Sequence, residues 1–190
     1  AAVAASRAAY LGGFTSTWSV RIDALSALML IVVNTVSFLV HVYSIGYMSE
    51  DPHNARFFSY LSFFTFSMLA LVTANDFLQL FFGWEGVGVA SYLLIGFWYH
   101  KRSANDAAIK AFVNNRVGDF GFALGIMAAF MAYGSIQFDA VFEAAAANPG
   151  MVFDFVWFEV PVVETVAALL FIGAMGKSAQ FFLHVWLPDA

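Results

Sequence analysis

The chain has 190 residues, of which 62% are hydrophobic, 18% aromatic and only 11% charged, with a formal net charge of −5 and no cysteine. A soluble domain carries about 25% charged residues, and a chain of this length encloses too little interior to hide so much apolar surface, which excludes a soluble globular domain. Without cysteine it has no disulfide, thiolate metal ligand or iron–sulfur ligation of its own.

In chain order, the opening AAVAASRAAYLGG has no initiating methionine and no basic lead-in to a short apolar core, so it does not read as a signal peptide. Together with the abrupt close at HVWLPDA it reads as a piece of a longer chain. A spanning helix needs roughly 20 mostly apolar residues. Five segments meet that need: about Ala24–Met48, Phe57–Ala74, Phe77–Tyr99, Ala111–Tyr133 and Val162–Trp186. Their apolar runs are continuous rather than alternating, which predicts helices and not barrel strands. The expected fold is an all-α integral membrane protein, a polytopic bundle of about five helices forming one transmembrane domain over 1–190. The short linkers 49–56 and 74–77 predict antiparallel hairpins. In the longest connection, 134–161, Ile136, Phe138, Val141 and Phe142 recur at helical spacing and predict a short interfacial helix. Gly173, Gly176 and Ser178 predict a discontinuity in the last helix, a recurring device in transporters.

Basic residues set the orientation. Arg56, Lys101, Arg102 and Lys110 fall on one side; Arg7 and Arg21 fall on the other, among Asp23, Asp76, Asp139, Glu143, Asp154 and Glu159. The positive-inside rule puts the 100–110 loop in the cytoplasm or matrix. The alanine-rich composition leans towards a bacterial inner membrane, with the mitochondrial inner membrane as the alternative.

Within the spans lie Glu85, Arg116, Asp119 and Lys177. A charge at mid-bilayer costs roughly 2.5–3.5 kcal/mol on insertion scales and marks function or an internal pair. Glu85 sits about 12 Å into its helix at 1.5 Å per residue, beside Gly83, Gly86, Gly88, Ala90 and Ser91. Gly86 and Ala90 have the small-xxx-small spacing that admits a neighbouring helix. A neutral packing glutamate is the bland alternative to a titrating one. Arg116 and Asp119, three apart, reach each other on one helix face, as a self-paired couple or as part of a relay. Lys177 can gain and lose a proton when burial or neighbours disfavour its charge, which makes it a partner in kind for Glu85. Gln180 and His184 would share its face if the helix continued, and His184 would extend a relay or simply lie at the interface. The remaining histidines, His41, His53 and His100, have no metal-ligand spacing, and neither G-x-G-x-x-G nor a P-loop occurs. No metal, nucleotide, flavin or nucleic acid is therefore expected on this chain; the bilayer is its expected surroundings. The phenylalanine-rich stripes read as lipid or helix contacts rather than as a quinone site.

LQLFFGWEGVGVASYLLIGFWY, AAIKAFVNNRVGDFGFALGI and GKSAQFFLHVWLPDA, in that order, resemble the largest antiporter-like subunits of respiratory complex I, the chain 5 or subunit L family of NADH–quinone oxidoreductase. The resemblance runs over nearly all the chain and is weakest over 1–20 and 134–165. It implies a proton-translocating module, with Glu85 matching the family's glutamate on its fifth helix, Arg116 and Asp119 its arginine–aspartate pair on the sixth, and Lys177 the lysine on its discontinuous seventh. A direct Glu85–Lys177 pairing is expected on that basis. It also implies that NADH, FMN, iron–sulfur clusters and quinone are held by partner subunits, with other complex I membrane subunits, neighbouring antiporter-like ones above all, as partners. The alternatives are the large subunit of a multisubunit sodium/proton antiporter, which shares this ancestry, and a purely structural membrane scaffold.

Overall fold

The computed structural model describes residues 3, 4, 9–11, 14–155 and 157–190, so Arg7 lies outside the described residues. Two short antiparallel strand pairs precede the helices: β1 (Val3–Ala4) with β4 (Ser19–Val20), and β2 (Ala9–Leu11) with β3 (Phe14–Ser16). Five long helices follow at the expected places: α1 (Ala24–Tyr47), α2 (Asn54–Val72), α3 (Phe77–Ile95), α4 (Arg102–Tyr133) and α6 (Val162–Lys177). The connection after α4 holds the amphipathic helix α5 (Phe138–Ala147) and a hairpin of β5 (Val152–Phe155) with β6 (Phe158–Pro161). Three helices, α1, α2 and α3, are long and apolar enough to cross a membrane by length and composition alone. α4 carries five charged residues and α6 has only 16, so both depend on protein neighbours rather than on hydropathy.

Two of the helices, α1 and α3, start at an aspartate that caps them. Asp23 and Ser26 form a reciprocal box at α1: the Ser26 N–H donates to Asp23 Oδ1 at 2.8 Å and the Asp23 N–H to Ser26 Oγ at 2.7 Å. The backbone N–H of Ser26, aided by Arg21, holds the exposed Asp23 carboxyl down at about 2 from an ordinary 3.8. A depressed folded-state value means this cap is at full strength above the unfolded value of 3.8 and is lost as pH falls towards about 2. Amide exchange in the first turn of α1 should therefore be pH-independent in its protection down to that window and lose protection below it, a loss that Asp23→Ala would show at neutral pH. Asp76 caps α3 without the reciprocal bond, accepting from the Gln79 N–H at 2.7 Å, and its backbone bridges to Gln137 so that α3 and α5 start side by side.

Several details differ from expectation. α4 begins at Arg102, nine residues before the apolar run, because Ala, Lys and Arg favour helix outside the apolar core and Arg102 reaches Asp106 at 3.8 Å one turn on. The hairpin of β5 and β6 was not foreseen, since its short strands carry no long alternating pattern. At α5, Val141 and the preceding Ile136 are buried against Phe77, whereas Phe142 is 59% exposed and stacks on Phe138. The last span stops at Lys177 rather than running to Trp186.

Sidedness follows the linkers. At one end Arg21 donates from its backbone to the Thr73 carbonyl and pairs with Asp139 at 2.7 Å. At the other, Arg56 donates to the Phe97 carbonyl and the Trp98 indole to Asp51.

Glycines bring the helices together. A Cβ on Gly83 would lie 2.6 Å from the Leu71 nitrogen of α2, and one on Gly86 2.6 Å from Ser67 Oγ. With Ala90 fully buried, this small-residue face of α3 meets α2. Gly118, Gly121 and Gly125 of α4 meet α6 around Leu170, Ile172, Gly173 and Gly176. The other side of α3 is thereby turned towards α4 and α6, and it carries the glutamate.

Candidate functional site

Three helices converge on one chain of charges. Arg116 Nη1 of α4 donates to Glu85 Oε2 of α3 in a short ion pair. The same Nη1 stands 3.7 Å from Asp119 Oδ2, one turn along α4, and that oxygen stands 3.7 Å from Lys177 Nζ of α6. The order is carboxylate, guanidinium, carboxylate, ammonium, and the sum of formal charge is zero. Side-chain exposure is 5% at Asp119 and 17% at Lys177, against 25% at Glu85 and 35% at Arg116. The Asp119–Lys177 end is therefore the buried end.

The surroundings are aromatic. Trp84 Nε1 donates to Asp119 Oδ1 at 2.6 Å, and the Trp84 ring stacks on Phe122 at 4.6 Å. Arg116 lies over the Phe112 ring at 4.5 Å, and Lys177 Nζ lies 5.8 Å from the centre of Trp84. Four buried polar atoms here, Glu85 Oε1, Asn115 Oδ1, Asp119 Oδ2 and Lys177 Nζ, have no hydrogen-bond partner among the described residues. Each such atom costs about 1–3 kcal/mol if left unsatisfied, and buried water is the usual remedy at polar sites of this kind.

Lys177 owes its position to the end of α6. It is the last helical residue, where the partial negative charge of the terminal carbonyls attracts a cation. Beyond it Ala179 and Phe182 adopt φ of 49° and 72°, a left-handed conformation that costs non-glycine residues of order 1–3 kcal/mol and persists only where neighbours impose it. Trp186 Nε1 helps impose it by donating to the freed Gly176 carbonyl at 3.1 Å. Gly88 supplies room for the ammonium: a Cβ there would lie 2.7 Å from Lys177 Nζ. Because only the flexible tip of a lysine must yield, Gly88→Ala should lower the melting temperature of the full-length subunit less than Asp119→Ala does, while displacing Lys177 from Asp119. Proton pumping by the assembled complex should then drop, and pumping and melting measured side by side check both halves.

The structure thus joins Glu85, Arg116, Asp119 and Lys177, but not in the expected pairing. Among the described residues no ion pair within 4.0 Å links Glu85 to Lys177; Arg116 and Asp119 stand between them. His184 is outside this group: the helix ends at Lys177, so the shared face with Gln180 and His184 does not form, and the His184 side chain is exposed. Trp84 and Asn115 were missed, and Gly88, noted only as a small neighbour of Glu85, was not linked to Lys177. Gly88 was legible in principle, being three residues after Glu85 and so on the same helical face. Among the described residues no group of three or more His, Asp or Glu is placed to hold a metal ion.

The fold is that of a helical membrane bundle, and it carries an alternating chain of largely buried charges. Residues 74–190, which include all four charges, match the family described as NADH:quinone oxidoreductase/Mrp antiporter, TM, and residues 9–58 match the N-terminus of NADH-ubiquinone oxidoreductase (complex I) chain 5. The chain belongs to the NADH:quinone oxidoreductase/Mrp antiporter transmembrane family. It is 60% identical over 186 residues to NADH-quinone oxidoreductase subunit L of Rhodobacter capsulatus, covering 94% of this chain and 26% of that protein. It is 55% identical over 179 residues to NADH-ubiquinone oxidoreductase chain 5 of Marchantia polymorpha, covering 93% and 27%. Among solved structures, the Mrp complex from Dietzia sp. DQ12-45-1b shares the fold, with a TM-score of 0.78 at 20% identity over 99% of this chain and 20% of that one. The membrane-bound sulfane sulfur reductase, an archaeal respiratory membrane complex, does so with a TM-score of 0.68 at 22% identity over 100% and 28%. The chain spans about a quarter of the length of the curated relatives it matches. Family and helices together make it part of a multi-pass integral membrane protein.

Proposed function

We propose that this chain forms the input half of a proton path in the subunit L (chain 5) of a proton-translocating NADH–quinone oxidoreductase. The observation that carries the reading is the continuous alternation Glu85–Arg116–Asp119–Lys177 across three helices. NADH, FMN, iron–sulfur clusters and quinone belong to partner subunits, and the neighbouring antiporter-like subunits deliver the electrostatic signal.

The geometry supports a relay of charge pairing. While Glu85 holds Arg116, Asp119 is the counter-charge of Lys177. When a charge arriving from a neighbour neutralises or repels Glu85, Arg116 is released to Asp119, already 3.7 Å away. At such distances one unit charge is worth of order 4 kcal/mol at an effective dielectric of 20, enough to change the occupancy of the lysine's proton by several hundredfold. The ammonium, losing its counter-charge, gives a proton to water near the orphaned polar atoms and regains one when Arg116 returns.

Glu85→Gln and Lys177→Ala in the assembled complex, reconstituted in vesicles, should each lower the proton-to-electron ratio. A normal ratio in both overturns the reading. The likeness of fold to the Mrp complex supports a second reading, a sodium/proton antiporter; sodium-dependent proton exchange without co-purifying NADH dehydrogenase activity would favour it. A structural scaffold predicts that neutralising the four charges lowers assembly only, with pumping per assembled complex unchanged.

A further inference from the structure

We propose that Trp84 is a positioning residue of the relay, its indole N–H fixing the one carboxylate that Arg116 and Lys177 share. The proposal rests on the proton-transfer reading above.

Asp119 divides its two oxygens between two tasks. Oδ1 takes the Trp84 N–H at 2.6 Å; Oδ2 takes no hydrogen bond from the described residues and stands 3.7 Å from each cation. A carboxylate free to rotate would lean onto one cation and close a direct ion pair, leaving the other without its counter-charge. Anchoring Oδ1 prevents that rotation, so the carboxylate stays midway and a small displacement of Arg116 is felt at Lys177. Trp84 suits the task because indole donates but neither accepts nor titrates, so it holds the carboxylate without offering protons another route. Its ring is itself held by the parallel stack on Phe122, whose ring also stacks on Phe81 at 6.0 Å. The same ring offers its face to Lys177.

Trp84 and Glu85 are adjacent on α3. One helix therefore carries both the acceptor that holds Arg116 and the donor that holds Asp119. A shift of α3 that loosens the first also moves the second, which ties the exposed and buried ends of the relay to a single rigid element.

The test separates the hydrogen bond from the ring. Trp84 is replaced, in the full-length subunit within the assembled complex, by benzothienylalanine, whose bicyclic ring has sulfur in place of the N–H; Trp84→Phe is the second variant, and tryptophan inserted by the same route is the control. Loss of a hydrogen bond to a charged acceptor should lower the proton-to-electron ratio roughly twofold or more in the benzothienyl complex, with assembly as in the control. Repeating the exchange on an Asp119→Asn background should bring no further loss. Control-level pumping in the benzothienyl complex, or a further loss of the same size on the Asp119→Asn background, overturns the proposal. If Trp84→Phe is defective while the benzothienyl complex pumps normally, Trp84 acts through packing and the proposal also falls. Normal pumping in Glu85→Gln and Lys177→Ala would instead remove the underlying reading, a separate outcome.

Discussion

Asp119→Ala is expected to destabilise the folded subunit by about 3–5 kcal/mol, the usual result of removing one partner from a buried ion pair. The loss has three sources: Lys177 and Arg116 keep their charges without the shared carboxylate, and the Trp84 N–H loses its acceptor. Alanine at Glu85 should cost less, because that carboxylate is five times more exposed, 25% against 5%, and solvent screens what it leaves behind. Asp119→Asn should recover part of the stability, since an amide oxygen still accepts from the indole, while pumping stays below that of the wild type. Thermal unfolding of the full-length subunit in detergent, with the amount of assembled complex as a second readout, gives the predicted order: wild type, Glu85→Ala, Asp119→Asn, Asp119→Ala. Equal losses for the two alanine variants would show that Asp119 is not the shared counter-charge.

The second large effect lies in the seam between α2 and α3. A Cβ at Gly83 would meet the Leu71 nitrogen, Cα and Cβ at 2.6, 2.7 and 2.8 Å. These are atoms of the helix itself or the root of a side chain, so nothing flexible can give way and the two helices must part. Gly83→Ala should therefore cost about 1–3 kcal/mol, as overpacking does in close-packed interiors, and Gly83→Leu more. Gly46 provides the contrast. A Cβ there meets nothing within 4 Å, so Gly46→Ala should stabilise α1 by up to about 1 kcal/mol through helix propensity alone. Opposite shifts in melting temperature for the two alanine variants check the seam. A shift at Gly83 as benign as that at Gly46 would mean that α2 and α3 do not approach as described.

Much of this arrangement is legible in the sequence, for identifiable reasons. Apolar runs must be about as long as the bilayer is thick, so the long helices appear as mostly apolar stretches, and α1 and α3 fall within a few residues of where hydropathy puts them. Charges in oil are costly, so Glu85, Arg116, Asp119 and Lys177 stand out without any structure. The end of α6 was legible in its glycines and serine. Which charge meets which was not. Glu85 reaches Arg116 rather than Lys177 because of how three helices rotate about their axes, and that rotation is set by glycine contacts at Gly83, Gly88, Gly118 and Gly121. Trp84 escaped notice because an aromatic residue in a membrane helix looks the same in sequence whether it faces lipid or a carboxylate. The polar start of α4 was missed because hydropathy measures burial in lipid, not helicity.

The central claim is that the four charges act as one relay, and a double-mutant cycle on proton pumping tests it most directly. The proton-to-electron ratio of the assembled complex is measured for Glu85→Gln, for Lys177→Ala and for the two together. A relay predicts that the double variant pumps no worse than the poorer single one, because residues acting as a unit are grossly non-additive. Losses that multiply in the double variant would show that Glu85 and Lys177 work independently and would contradict the account.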